Sequence, residues 1–305
     1  MKKNRFFPQV KLVLQSLPYV FEEEVFALKG GSAINFFFRD LPRLSVDIDL
    51  TYLPIESREV SLGKIEAALK RIANRIRSDL PGVSIQEGRI NNPNMVNKIF
   101  VKNAKAQIKV EPNLVIRGSV FPTEKHALSF KAQEIFELFV EAQTVSFADL
   151  FGGKICAALD RQHPRDIYDI KFLLDNEGIT EQIRKGFLIY LISHSRPIHE
   201  LLEPVLKDFK DVYESEFQGM TDDNVSYDDL VEVRSVLISL IKEILTQEEK
   251  DFLVSFKKGE PNWNQLGVDG VEKLPAVKWK IINIRKMSKE KKSEFFEKMI
   301  NYFNG

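Results

Sequence analysis

A single cysteine among 305 residues excludes an internal disulfide, and a chain that needs no oxidised cross-link is compatible with a reducing cytosol. That residue, Cys156, falls within helical spacing and reads as a small buried hydrophobe. No apolar run approaches the ~20 residues that cross a bilayer. The opening stretch MKKNRFFPQVKLVLQ begins basic, but Lys11 and Gln15 interrupt any apolar core, so no secretory signal is expected. The expected location is therefore the cytoplasm, with no membrane partner. Net charge is lacking as well: Lys+Arg and Asp+Glu both number 44, so no overall basic balance announces nucleic acid. His163, His194 and His199 lack metal-ligand spacing and read as structural. Internal repeats and low-complexity segments are absent too.

What is present is ordinary globular material, 44% hydrophobic and 29% charged, enough for one substantial core or two modest ones. The neutral sum hides segregation. Residues 203–251 are acidic, with Asp222, Asp223, Asp228 and Asp229 clustered, and residues 271–305 are rich in lysine. Each run reads first as a solvated helix face.

Spacing predicts a helix over residues 7–17, a strand over 25–29, a Gly30-Gly31-Ser32 turn, a short helix over 33–39 and a strand over 43–52. An amphipathic helix over 58–80 follows, with Ile65, Leu69, Ile72 and Ile76 as its apolar stripe; Lys64, Lys70, Arg71, Arg75 and Arg77 form a basic face, solvated or able to track a phosphate backbone. Strands are expected over 83–89 and 95–102, separated by the turn Asn91-Asn92-Pro93-Asn94, and over 107–111, ended by Pro112. From residue 131 the periodicity turns helical, which draws a domain boundary at 145/146. Helices are expected over 146–161, from Pro164, and over 179–195, 201–217 and 229–256; a late strand over 279–284 precedes a basic, aromatic-interleaved helix over 289–302.

Chemistry concentrates in residues 25–52. On a strand over 43–52, Leu44, Val46, Ile48 and Leu50 share one face while Arg43, Ser45, Asp47 and Asp49 share the other. Two carboxylates side by side repel, and a neighbouring cation is the usual remedy. Hard oxygen ligands on one strand suit Mg²⁺, which completes its shell with water and substrate phosphates. The Gly30-Gly31-Ser32 turn complements them, because glycines admit a ligand to the backbone and a helix start offers N–H groups to an anion. An isolated Asp-x-Asp is more often a solvated edge. The order strand, Gly-Gly-Ser, helix, Asp-x-Asp strand makes a nucleoside triphosphate site the better reading.

Lys29-Gly30-Gly31-Ser32-Ala33 and Arg43-Leu44-Ser45-Val46-Asp47-Ile48-Asp49-Leu50 resemble the opening motifs of the AbiEii/AbiGii toxin-like branch of the nucleotidyltransferase superfamily, which includes DNA polymerase beta-like enzymes. Ile108-Lys109-Val110-Glu111-Pro112-Asn113 resembles a later strand of that branch, and the resemblance makes Glu111 the third carboxylate of the metal site. Residues 146–170 carry a second constellation. Lys154 and Arg161, seven apart, project from one side of a helix, and Asp166 and Asp169, three apart, share a face of the next, with Arg165 beside them. By itself this is a salt-bridge seam between helices. It also resembles the branch motifs Asp-Leu-x-x-x-Lys and Arg-Asp-x-x-Asp, whose Lys and Asp are active-site residues. Gly152-Gly153 costs helix propensity of about 1 kcal/mol per residue, which close packing against the catalytic sheet or a nucleotide would explain.

The resemblance covers roughly residues 25–175. It implies an α+β fold, a mixed nucleotidyltransferase sheet with flanking helices over 1–145, and a helical bundle domain over 146–305 that contributes the Lys/Arg/Asp side of the active site. It implies Mg-dependent transfer of NMP from an NTP to an acceptor, with Asp47, Asp49 and Glu111 holding two Mg²⁺ ions, Gly30, Gly31 and Ser32 with Arg161 and Arg165 binding the triphosphate, and Lys154 and Asp166 catalytic. The implied role is the toxin of a toxin–antitoxin or abortive-infection phage-defence system, with tRNA as acceptor and an antitoxin encoded nearby. The alternatives are a nucleotidyltransferase acting on a small molecule such as an antibiotic, and a catalytically silent module binding nucleotide or a partner.

Overall fold

The computed structural model describes residues 4–91 and 94–304. Within the expected turn at residues 91–94, Asn92 and Pro93 lie outside the described residues. By internal contacts the chain divides into two compact units, Met1–Ser146 with Glu216–Asn224, and Phe147–Ser215 with Val225–Gly305.

The first unit is built on a seven-stranded mixed sheet. In chain order its elements are α1 (Phe7–Phe21), β1 (Phe26–Lys29), α2 (Gly30–Ala33), β2 (Ile48–Tyr52), α3 (Arg58–Asp79), β3 (Ser84–Asn91), β4 (Asn94–Lys102), β5 (Gln107–Pro112), β6 (Glu124–Ala127), α4 (Phe130–Phe136) and β7 (Glu141–Thr144). The strand order is β3-β4-β5-β2-β1-β7-β6. The pairs β2–β5 and β1–β7 are parallel and the rest antiparallel. Ser57 caps α3 by accepting from the Val60 N–H, and Ile65, Leu69, Ile72 and Ile76 bury the expected stripe. The basic face of α3 is spent on neighbouring carboxylates: Arg71 meets Glu23 through two N–H donors, Arg75 meets Glu22 and Asp79, and Lys70 meets Glu66.

The strand expected over 43–52 is shorter than the alternation implied. Only Ile48–Tyr52 joins the sheet; Arg43 forms an isolated bridge to Thr221, and the Leu44 N–H donates to the Met220 carbonyl at 2.7 Å. A chain segment distant in sequence supplies these partners, so residues 43–46 are all buried rather than alternately so. Strands β6 and β7 were not expected. Both are four residues long and polar, Glu-Lys-His-Ala and Glu-Ala-Gln-Thr, with no apolar run to betray them.

The second unit is helical: α5 (Phe147–Arg161), α6 (Pro164–Asn176), α7 (Glu181–Ser193), the short α8 (Ile198–Leu202) and α9 (Lys210–Val212), α10 (Tyr227–Ile244), α11 (Gln247–Lys258), the short α12 (Trp263–Leu266), α13 (Pro275–Lys286) and α14 (Lys289–Asn304). A Cβ on Gly152 would lie 2.4 Å from the Gly186 carbonyl carbon, and one on Gly186 would lie 2.4 Å from the Ala148 oxygen. The glycine that the sequence assigned to the sheet or a nucleotide instead lets α5 and α7 meet backbone to backbone. Two long helices are broken. Pro204 disfavours helix at Glu203, ending α8 at Leu202. Thr246 and Glu249 form a capping box that starts α11 afresh, and Glu249 also takes Arg184 Nε at 2.8 Å. The expected late strand over 279–284 is the body of α13: Pro275 opens a helix, and Val277, Lys280 and Ile284 bury one face. Lys280 Nζ reaches the His194 carbonyl at 2.6 Å, just beyond the end of α7. The basic and aromatic side chains of α14 engage one another and their neighbours, with Lys257 Nζ 4.4 Å over the Phe295 ring and His199 beside it at 5.1 Å.

Candidate active site

In the first unit the chain leaves β1 at Lys29 and turns through Gly30, whose φ of +70° suits only glycine without strain. A Cβ there would also stand 2.8 Å from Asp49 Oδ2, so the Asp49 carboxylate lies against the turn. A Cβ on Gly31 would stand 2.7 Å from Arg43 Nη2 and 2.9 Å from Ser45 Oγ. Ser32 is buried; its hydroxyl bonds the Ser45 hydroxyl at 3.1 Å and the Asp47 carbonyl. Side-chain contact thus locks the Gly-Gly-Ser turn to the Asp-x-Asp segment. Beyond Ala33 the helix widens, with the Arg39 N–H reaching back five residues to the Ile34 carbonyl at 2.8 Å, a geometry often found near functional sites.

Sheet register gathers the charges. Asp49 stands opposite Lys29 across the antiparallel β1 and opposite Glu111 across the parallel β5. Adjacent strands are about 4.8 Å apart, so these residues form a row on one face. Ile48, Leu50, Ile108 and Val110 bury the other face. Asp47, just ahead of β2, is partly exposed. Glu111 accepts from two ammonium groups, Lys98 Nζ at 3.0 Å and Lys109 Nζ at 2.8 Å, one on each oxygen. Burial alone would raise the Glu111 carboxyl, but the hydrogen bonds from Lys109 and Lys98 outweigh it and hold it below the usual carboxylate range. For Lys109, burial works downward, and Glu111 together with the charges of Asp47 and Asp49 raises it overall. Among the described residues, no group of three or more His, Cys, Asp or Glu side chains is arranged to hold a metal ion.

In the second unit, Lys154 of α5 is buried and bridges two carboxylates of α6, Asp166 Oδ1 at 2.8 Å and Asp169 Oδ2 at 2.9 Å. Arg161 Nη2 takes the other Asp166 oxygen at 2.7 Å. Burial pushes the Asp166 carboxyl up, but Lys154 and Arg161 overcome it and hold it far below the usual range. Arg165 turns toward His163, its Nη2 3.3 Å from the imidazole Nε2. The His163 imidazole in turn caps α6 by accepting from the Arg165 N–H.

Within the first unit, therefore, Gly30, Asp49 and Glu111 are neighbours, while Ser32 and Asp47 meet through backbone. Within the second, Lys154, Arg161 and Asp166 meet, and Arg165 lies beside His163. Sequence reasoning missed the roles of Lys29, Lys98 and Lys109. Alternation along β5 puts Lys109 on the Glu111 face, so that signal was legible; Lys98 needed the β4–β5 register.

A family model of the AbiEii toxin nucleotidyl transferases of type IV toxin–antitoxin systems matches residues 12–281. The chain belongs to this family. It is accordingly a nucleotidyltransferase of the toxin type, and membership implies a nucleoside triphosphate substrate and an antitoxin counterpart. Among solved structures the fold is similar to MenT4, a nucleotidyltransferase toxin from Mycobacterium tuberculosis H37Rv, with a TM-score of 0.59 at 12% identity over 90% of this chain and 92% of that one. Comparison with curated protein sequences gives no match. No helix among the described residues is long and apolar enough to cross a membrane.

Proposed function

We propose that this family member transfers a nucleoside monophosphate from an NTP to an RNA hydroxyl, with tRNA as the acceptor class, and that it does so in the cytoplasm as the toxin of a phage-defence toxin–antitoxin pair. The observation that carries the chemistry is the Asp49 carboxylate packed against the Gly30 turn and in register with Glu111. The carboxylates of Asp49 and Glu111, in register on one face with Asp47 just ahead of β2, are oxygen donors of the kind hard divalent cations take, although they do not stand as a preformed three-ligand cage. Asp47 and Asp49, with Glu111 as third carboxylate, would hold Mg²⁺, which when bound supplies Lewis-acid polarisation of the triphosphate.

The chain's own residues do the rest. Gly30 and Gly31 admit the triphosphate to the backbone, and Ser32 adds an N–H from the first turn of the helix. Glu111 takes the proton of the acceptor hydroxyl as its oxygen bonds to the α-phosphorus; the bond from that phosphorus to the bridging oxygen breaks and pyrophosphate leaves. In the second unit, Lys154 with Arg161 and Arg165 supplies positive charge of the kind that suits phosphate, and Asp166 orients Lys154. Incubation with total bacterial RNA, Mg²⁺ and each α-³²P-labelled NTP tests this reading. Label in a tRNA-sized band, with one NTP preferred, is the expected result. Labelling of a small molecule alone would reassign the acceptor, and no labelling at all would overturn the transfer reading.

A further inference from the structure

Both oxygens of Glu111 are taken by ammonium groups, and those lysines come from different strands, Lys98 from β4 and Lys109 from β5. We propose that Lys98 and Lys109 act as a resident counter-cation at the carboxylate face, and that a divalent ion gains Glu111 only by displacing them. The proposal rests on the metal-dependent reading above and adds to it an exchange step performed by two further positioning residues.

Asp49 and Glu111 in register on one sheet face, with Asp47 just ahead of β2, would repel one another in a protein without metal. The sheet answers by flanking the two acids with cations along the row: Lys29 stands opposite Asp49, Asp49 beside Glu111, and Lys98 on Glu111 from the next strand. Lys109, two residues before Glu111, closes on its other oxygen. Charge-assisted hydrogen bonds of this length are strong enough to compete with a weakly held cation. The side chains of Lys98, Lys109 and Glu111 are 31%, 30% and 28% exposed, so water can replace each partner as it leaves. That distinguishes this cluster from a buried pair, which loses its partner only at a large desolvation cost. No covalent bond changes in the exchange; the ammonium groups give up Glu111 and become available to phosphate oxygens on the same face.

The test is Mn²⁺ binding without nucleotide, followed by the electron paramagnetic resonance of free Mn²⁺. It compares the full chain with Lys98→Met, Lys109→Met, the double variant, Asp49→Asn, and Lys105→Met as a control for a lysine away from Glu111, all checked for folding by circular dichroism. The double variant is expected to bind about tenfold more tightly than the parent, each single variant by less, and Lys105→Met no differently. Unchanged or weaker binding in the double variant, with Asp49→Asn abolishing it, would overturn the exchange and leave the metal reading standing. Equal tightening by Lys105→Met would overturn it too, by reducing the effect to net charge. Binding unaffected by Asp49→Asn, or absent throughout, would remove the metal reading and the exchange together.

Discussion

Glu111 and Asp166 each accept hydrogen bonds from two cationic side chains, but the Glu111 side chain is 28% exposed and that of Asp166 only 5%. The same chemistry therefore has different consequences in the two units. Around Glu111, water is at hand to replace any partner that leaves, so the ion pairs are exchangeable. Around Asp166, Lys154 serves two buried carboxylates at once, and its loss would take a buried ammonium partner from both. A face that exchanges cations suits ligand binding, whereas a buried knot holds helices in place and fixes one lysine for its task.

The comparison breaks first if the knot proves dispensable. Lys154→Met should destabilise the protein by about 3–5 kcal/mol, the range for breaking a buried pair, and Lys98→Met by less than about 1 kcal/mol after solvent screening. Chemical denaturation of both variants decides it, and equal stabilities would erase the distinction. The helix contact beside the knot should be nearly as sensitive. Gly152→Ala or Gly186→Ala forces backbone apart and should cost about 1–3 kcal/mol, read as a lower melting temperature.

Acid sharpens the contrast. Unfolded Asp166 takes up its proton near pH 4, whereas the folded carboxyl, held down by Lys154 and Arg161, does so only at much lower pH. Between those values the unfolded state binds more protons, so this contribution to stability is full above about pH 5 and is lost as pH falls. Asp166→Asn should flatten that acid-side slope in urea titrations, and a slope equal to the parent's would contradict the pairing. The smallest effect belongs to the exposed face of α3: Arg71→Ala removes a surface pair with Glu23 and should leave the melting temperature unchanged within error.

The sequence made the glycine turn, the Asp-x-Asp pair and the Lys154–Asp166 facing legible, because each depends on spacing within one or two adjacent elements. It misplaced what depends on distant chain. Residues 43–47 alternate like a strand, yet the segment around Met220 captures Arg43 and Leu44 before they can join the sheet. Trp279 and Ile282 broke the helical pattern of α13 because both stay about half exposed, so their hydrophobicity pointed to a core they do not enter. Lys98 on Glu111 was hidden for the same reason as β6 and β7, since strand pairing carries no local signature in polar residues.

The most direct test of the central claim, that the carboxylate face of the first unit performs nucleotidyl transfer, is label transfer from α-³²P-NTP to RNA by Asp49→Asn, measured alongside its thermal melt. The account predicts a loss of labelling of at least about a thousandfold with an unchanged melting temperature. Transfer at the parent's rate by a folded Asp49→Asn protein would contradict it.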